Sequence, residues 1–140
     1  MFKKKIIITG GNGMLGNHFY KKYNNVFTIL KYPHRIENFK KFEKWLVNKK
    51  FNYFIHFAAI TKNESKDKKK LTLINVTSTI KMINILNRKK IKDFQYFLFI
   101  SSSHVYGFSN KKIKETKKRT PKNIYGKSKK RVEDYLLKKR

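Results

Sequence analysis

The chain consists of short apolar runs separated by longer segments in which apolar residues recur every three or four positions. The run Lys5–Thr9 is β-branched, does not alternate with polar residues and ends at glycine. These features are typical of a strand buried on both faces of a parallel sheet. Comparable runs predict further strands over residues 26–30, 53–57 and 95–100.

Helical spacing predicts four helices between and after these strands. In the first of them Leu15, Phe19 and Tyr23 form one apolar stripe, which is expected to lie on the sheet. Residues 64–70 are charged and residues 109–122 are polar and rich in lysine, so both segments are predicted to be loops. The four predicted helices cover residues 14–23, about 39–49, about 71–87 and about 124–138.

Strands that alternate with helices predict parallel strands joined by right-handed crossovers. The expected fold is therefore an α/β doubly wound sheet, with ligands bound at the carboxyl ends of the strands. The chain has 140 residues, which favours one domain over residues 1–140. That length is short for an enzyme that needs both a cofactor site and a substrate site.

A glycine-rich turn joins the first strand to the first helix. Gly10 permits a tight turn, Gly13 lets a pyrophosphate approach the backbone, and Gly16 allows the helix to pack closely on the strand. The alternative is an ordinary turn that happens to contain glycine. Because four of the chain's 6 glycines lie in this turn, phosphate binding is favoured.

A second group of motifs follows the later strands. His56-Phe57-Ala58-Ala59 ends the third strand and holds the only alanines of the chain. Ser101-Ser102-Ser103-His104-Val105-Tyr106-Gly107 follows the fourth strand, and Tyr125-Gly126-Lys127-Ser128-Lys129 opens the last helix. Composition alone gives roughly two Tyr-x-x-x-Lys pairs by chance, and the chain has two, so the spacing has little weight. Glu115, Pro121 and Glu133 supply a context that the second pair, at Tyr135, lacks.

Together these motifs resemble the extended short-chain dehydrogenase/reductase superfamily, in particular the NAD-dependent epimerase/dehydratase family that modifies sugar nucleotides. The resemblance implies a Rossmann fold and an NAD(P)-dependent epimerase or reductase acting on a nucleotide sugar. It also implies that the chain stops before the family's C-terminal substrate lobe. The chain would then be a fragment, a subunit completed by a second chain or homo-oligomer, or a reduced binding module that holds the cofactor without turnover.

The resemblance assigns catalytic roles to Ser102, Tyr125 and Lys129. Tyrosine has an ordinary pKa of about 10, and a neighbouring ammonium lowers that pKa, so Lys129 would help Tyr125 to act as acid and base. Ser102 would hydrogen-bond the same substrate oxygen. His104 is either an acid/base group or a packed neutral histidine. The cofactor-binding set implied by the resemblance comprises Gly10, Asn12, Gly13, Met14, Leu15, Gly16, Phe57, Ala58, Ala59, Tyr125 and Lys129.

The cofactor is expected to be NADP or NAD. NAD-binding relatives carry an acidic residue at the end of the second strand, where this chain has Lys31 with Arg35 nearby. Basic residues suit a 2′-phosphate, so NADP is slightly favoured.

Composition bounds the remaining possibilities. A net charge of +28 allows a basic nucleic-acid or anionic-surface binder as the alternative from another class. Yet 31 of the 36 basic residues are lysine and are spread along the chain, a bias that A/T-rich codons explain. Without cysteine, thiol catalysis and thiolate metal ligands are excluded, and no metal site is predicted. Apolar runs are too short for a membrane span, so a cytoplasmic protein is expected.

Overall fold

This computed structural model of the protein describes residues 3–61 and 67–139. The chain divides into two compact units. The first unit comprises Met1–Ala59 and Lys81–Ile100, and the second comprises Ile60–Ile80 and Ser101–Arg140. The strands are β1 (Lys5–Thr9), β2 (Thr28–Lys31), β3 (Tyr53–His56) and β4 (Tyr96–Phe99). The α-helices are α1 (Met14–Tyr23), α2 (Phe39–Leu46), α3 (Lys68–Thr72), α4 (Thr79–Arg88) and α5 (Ile124–Leu137).

The first unit is built on a four-stranded sheet in the order β2-β1-β3-β4, and every pairing in it is parallel. Ile7 lies opposite Leu30 on one side and Phe54 on the other. The predicted doubly wound parallel sheet is thus confirmed. Because β1 and β3 occupy the centre, the carboxyl ends of these two strands are adjacent, and the glycine turn follows one of them.

The centre of the sheet is the most deeply buried part of the first unit. Ile6, Ile7 and Ile8 are almost completely buried, as the non-alternating run in β1 predicted. Strand β4 lies at the edge of the sheet and differs from β1, since Tyr96 and Leu98 remain largely exposed. Buried and exposed positions alternate along a strand that has one face in solvent, whereas a central strand is buried at nearly every position.

Helix α1 has the predicted bounds, but the predicted apolar stripe is wrong at its first member. Leu15 is 56% exposed, while Phe19 packs against Phe57 with ring centroids 5.4 Å apart. Gly16 is the buried residue of this helix. Successive helical residues are about 100° apart, so a helix start that packs through Gly16 turns Leu15 toward solvent.

Several other boundaries differ from the prediction. Helix α2 ends at Leu46 instead of residue 49, because Val47 is extended and Asn48 has a positive φ of 60°. Strand β2 begins at Thr28, and Val26 before it is exposed. The helix predicted from residue 71 begins earlier, at Lys68, so residues 68–70 of the predicted loop are helical. The part of that loop over residues 64–66 lies outside the described residues.

Between α3 and α4 the chain forms a π-helical segment, Leu73–Ser78, which the sequence did not predict. In the second unit a 3₁₀ turn, Ser103–Tyr106, follows the serine run, and residues 109–122 have neither helix nor strand, as predicted. Asn123 caps α5 by accepting a hydrogen bond from the Gly126 backbone N–H at 2.7 Å. Among the described residues, none of the helices has both the length and the apolar character that crossing a membrane requires.

Candidate functional site

The glycine turn of the first unit brings β1, β3 and α1 into close contact. Gly10 has a φ of +66°, which side-chain-bearing residues rarely adopt, and a Cβ on it would lie 2.6 Å from the backbone nitrogen of Ala58. A Cβ on Gly16 would collide with the carbonyl oxygen of Gly10. Both glycines are therefore required by backbone packing, which is the mechanical role that the sequence assigned to Gly16 and, in part, to Gly10.

Gly13 has a different role, because it stands at the N-terminus of α1. Its backbone is extended, with φ −73° and ψ 167°, and it offers no side chain to cap the helix. Its N–H donates to the Gly10 carbonyl at 3.0 Å, and its carbonyl accepts from Asn17 at 2.9 Å. A helix N-terminus carries unsatisfied N–H groups and a partial positive charge, so this end of α1 suits an anion.

A cavity of about 550 Å³ opens beside the glycine turn. This volume is within the range of small-molecule sites. Residues 10–13 line one side, and the segment after β2 lines the other, with Lys31, His34 and Arg35 among its members. The Lys31 ammonium lies 4.1 Å from the centroid of the Tyr20 ring, and its methylene groups lie close to Gly11. Arg35 forms an ion pair with Glu37 at 2.9 Å.

A buried polar pair supports the turn from below. Thr9 Oγ1 and His56 Nδ1 are 2.7 Å apart, and both residues are fully buried. The same hydroxyl accepts a hydrogen bond from the Ala58 backbone N–H at 3.4 Å. The His56 ring stacks on Phe97 and Phe99. The sequence placed His56 in the motif that ends the third strand but did not predict its pairing with Thr9. The available indication was that a polar residue ends each of two buried strands.

The remaining predicted cofactor residues of this unit lie around the turn. Asn12, Met14 and Leu15 are exposed at the start of α1, Phe57 packs on Phe19, and Ala58 and Ala59 are half-buried. They lie in the turn, at the start of α1 or just after β3. Their role in binding stays a prediction.

In the second unit, Tyr125 and Lys129 lie one turn apart on α5. The Lys129 ammonium is 5.7 Å from the centroid of the Tyr125 ring. Tyr125 is half-buried, whereas Lys129 is only 3% exposed. Burial lowers the pKa of Lys129 to about 8, and the negative charge of Glu133 acts in the opposite direction. The lysine is therefore poised near its protonation midpoint at mildly alkaline pH.

Ser102 and His104 lie at the start of the 3₁₀ turn. Ser102 Oγ is 3.0 Å from His104 Nδ1 and also accepts a hydrogen bond from the His104 backbone N–H at 3.3 Å. The His104 ring meets the Tyr125 ring edge to face, with centroids 5.8 Å apart. The structure thus brings His104 to both Ser102 and Tyr125, and the predicted alternative of a packed histidine is disfavoured by its exposure.

Gly126 and Asn75 explain how α5 comes to lie where it does. A Cβ on Gly126 would collide with the His104 carbonyl oxygen, so this glycine lets α5 touch the 3₁₀ turn. Asn75, in the π-helical segment, exchanges two hydrogen bonds with the backbone of Ile60 and donates to Ser128 Oγ at 3.3 Å. Ser128 donates in turn to the Tyr125 carbonyl at 2.7 Å. These contacts fix the first turn of α5, which carries Tyr125.

Next to His104 the second unit has a cavity of about 250 Å³. His104, Phe108, Lys122 and Asn123 contribute to its lining, and Phe108 is largely exposed. The sequence did not single out Phe108 or Lys122, because they lie in or beside the polar segment predicted as a loop.

The parallel sheet and the glycine turn at a helix N-terminus define the class of protein by its fold: a Rossmann-type α/β protein. The model of the NAD dependent epimerase/dehydratase family matches residues 6–140, and the chain belongs to this family. A comparison with curated protein sequences gives no match.

Solved structures of similar proteins show the same fold. The chain is 21% identical to ADP-L-glycero-D-manno-heptose-6-epimerase of Helicobacter pylori, with a TM-score of 0.81 and coverage of 98% of this chain and 51% of that one. It is 23% identical to the UDP-Glc/GlcNAc 4-epimerase of Campylobacter jejuni, with a TM-score of 0.85 and coverage of 96% of this chain and 48% of that one. It is 25% identical to RMD of Pseudomonas aeruginosa, complexed with NADPH, with a TM-score of 0.84 and coverage of 97% of this chain and 48% of that one. The chain therefore spans about half the length of the structures it matches.

Proposed function

We propose that this chain binds a nicotinamide dinucleotide at the glycine turn and supplies the acid/base groups of a nucleotide-sugar epimerase or reductase. The observation that carries the proposal is the turn itself. Gly10 and Gly16 permit a backbone packing that no other residue allows, and they leave the uncapped N-terminus of α1 beside a cavity of about 550 Å³. A pyrophosphate fits such a place by charge and by hydrogen bonding.

The proton-transfer part of the proposal rests on the second unit. A bound nicotinamide would supply or accept the hydride. Tyr125 would exchange a proton between its phenol oxygen and the substrate oxygen, helped by the Lys129 ammonium one turn away. Ser102 would hydrogen-bond that oxygen, and His104, in contact with Ser102 and Tyr125, would give or take a second proton.

For the cofactor we propose a preference for NADP. Lys31, His34 and Arg35 bring positive charge to the side of the first cavity opposite the glycine turn. The chain has Lys31 where an acidic residue would favour an unphosphorylated ribose. The test compares binding of adenosine 2′,5′-bisphosphate with binding of 5′-AMP. Equal affinities would count against NADP.

The substrate class is proposed from the family and from the names of its similar structures, which include epimerases of ADP- and UDP-linked sugars. The chain spans about half of these proteins, so turnover is proposed to need further polypeptide, from the same gene or from a second copy or partner. A cofactor-binding but inactive chain is the alternative. The cytoplasmic location also stays a prediction.

The experiment measures thermal unfolding of the 140-residue chain with NADPH, with NADH and with neither. Ligand at about 100 times its Kd should stabilise the folded state by about 2.7 kcal/mol. No stabilisation by either nucleotide would refute the cofactor site.

Two substitutions at Gly13 provide the control. Asp and Asn both cap helix N-termini well, so Gly13→Asp and Gly13→Asn should both fold. Either side chain would occupy the space in which a pyrophosphate approaches the backbone, so both variants should weaken the stabilisation by NADPH, and the carboxylate of Gly13→Asp, which also repels a phosphate, should weaken it more than the amide of Gly13→Asn. For catalysis, Tyr125→Phe should abolish turnover on any substrate that is found and should leave cofactor binding unchanged.

A further inference from the structure

Glu133 lies on α5 one turn after Lys129, and both of its carboxylate oxygens are engaged. Ser101 Oγ donates to Oε1 at 2.5 Å, and Arg119 Nη1 donates to Oε2 at 2.8 Å. The Glu133 side chain is about one-fifth exposed. Ser101 immediately precedes Ser102, and Arg119 belongs to the polar loop before α5. The carboxylate is thus held in a fixed place by groups from two other segments of the second unit.

The neighbourhood of Lys129 explains why a fixed carboxylate matters there. Lys129 is almost completely buried, and burial disfavours its charged form. On α5, Tyr125 lies one turn before Lys129 and Glu133 lies one turn after it, so both are on the same side of the helix as Lys129. His104 contacts Tyr125 from the 3₁₀ turn, and Arg119 contacts Glu133 from the loop. Of these, Glu133 is the anion that opposes the effect of burial on the pKa of Lys129.

We propose that Glu133 is a positioning residue whose carboxylate, held by Ser101 and Arg119, is the fixed counter-charge that keeps Lys129 in its ammonium form. This inference rests on the proposed function, since the charge on Lys129 matters for catalysis only if Tyr125 transfers protons. The physical coupling between Glu133 and Lys129 does not depend on it.

Asp134 offers a matched control within the same helix. It is also acidic and also binds Arg119, with Oδ1 2.7 Å from Nη2. Its other oxygen binds the Lys130 ammonium at 2.7 Å, so its charge is shared between two cations. Asp134 is about 100° further around the helix than Glu133, so it places a carboxylate on a different face of α5 from the one that carries Lys129.

The experiment follows the titration of Lys129 by NMR of the 140-residue chain labelled with ¹³C at lysine Cε. The Lys129 signal is assigned by its loss in Lys129→Arg. In the unsubstituted chain the pKa should be about 8. Glu133→Gln should lower that pKa by roughly one unit, because a buried ammonium loses the negative charge that opposes the effect of burial.

Glu133→Asp keeps the charge and loses reach toward Ser101 and Arg119, so it should give a smaller decrease. Asp134→Asn should leave the Lys129 titration unchanged. An equal shift in Glu133→Gln and Asp134→Asn, or no shift in Glu133→Gln, would overturn the proposal.

Should Glu133→Gln fail to fold, Ser101→Ala tests the same coupling without changing a charge. It removes the hydroxyl that holds Oε1 of Glu133, so the pKa of Lys129 should fall, as in Glu133→Asp; a pKa that stays the same or rises would overturn the proposal. Stabilisation by NADPH, measured on the same samples, distinguishes a failure of the proposed cofactor site from a failure of the proposed role of Glu133. Its absence in the unsubstituted chain refutes the proposed cofactor site, while the Lys129 titration still decides the role of Glu133.

Discussion

The sharpest stability prediction concerns Gly10, where the structure leaves no room for a side chain. In Gly10→Ala the new Cβ would lie 2.6 Å from the Ala58 nitrogen, 2.8 Å from the Ala58 Cα and 2.9 Å from the Phe57 carbonyl carbon. All three atoms belong to the backbone, so a rotamer change cannot relieve the overlap. The φ of +66° adds about 1–2 kcal/mol for a residue with a Cβ. Overpacking adds about 1–3 kcal/mol, giving a total loss of about 2–5 kcal/mol.

Gly13→Ala is the matched control, because it lies in the same turn with a φ of −73° and a nearest Cβ contact of 3.3 Å. That contact is tight but does not require the backbone to move far. Alanine also reduces the entropy of the unfolded chain, which contributes about 0.4–1 kcal/mol in its favour. Urea denaturation followed by circular dichroism compares the two free energies of unfolding. Equal stability of Gly10→Ala and Gly13→Ala would refute the backbone contact between the turn and β3.

Two further predictions concern buried polar groups. Thr9→Val should lower the free energy of unfolding by about 1–3 kcal/mol, because it removes the hydroxyl that pairs with His56. Thr9→Ser keeps a hydroxyl and should retain most of the stability. Urea denaturation measures both losses, and equal losses would contradict the pairing. Lys129 has a pKa of about 8 when folded and about 10.4 when unfolded, so the unfolded state binds more protons between these values. Stability relative to Lys129→Met should therefore rise from about pH 8 to about pH 10.4, by up to about 3 kcal/mol, and a pH-independent difference would contradict a buried ammonium.

The parts of the fold that were predictable from the sequence are those fixed by local patterns. The β-branched run of β1 and the following glycines gave the strand, the turn and the start of α1, because burial on both faces leaves no room for polar residues. Periodicity failed where backbone geometry overrides it. Leu15 fits an apolar stripe but faces solvent because Gly16 sets how α1 packs, and Val47 breaks α2 although the spacing continues.

Pairings between distant residues were outside the reach of sequence patterns. Thr9 and His56 are 47 positions apart, and Ser101 and Glu133 are 32 positions apart. Each pair depends on which strand or helix the fold places beside another. A polar residue at the end of a buried strand was the available signal for His56, and it identifies a residue that needs a partner without naming the partner.

The two Tyr-x-x-x-Lys pairs, one within α5 and one whose lysine follows the end of α5, show what the structure adds to a motif. The Lys129 ammonium lies 5.7 Å from the centroid of the Tyr125 ring, and the Lys139 ammonium lies 5.8 Å from that of the Tyr135 ring, so the same spacing in sequence produces the same approach twice. The environments differ, since Lys129 is buried and Lys139 is exposed. A charge that is withdrawn from water acts on its neighbour through a lower effective dielectric constant, while an exposed one is screened. Burial, together with the contacts of Tyr125 with His104 and of Ser128 with Asn75, therefore distinguishes the pair suited to proton transfer from the pair that a lysine-rich composition produces by chance.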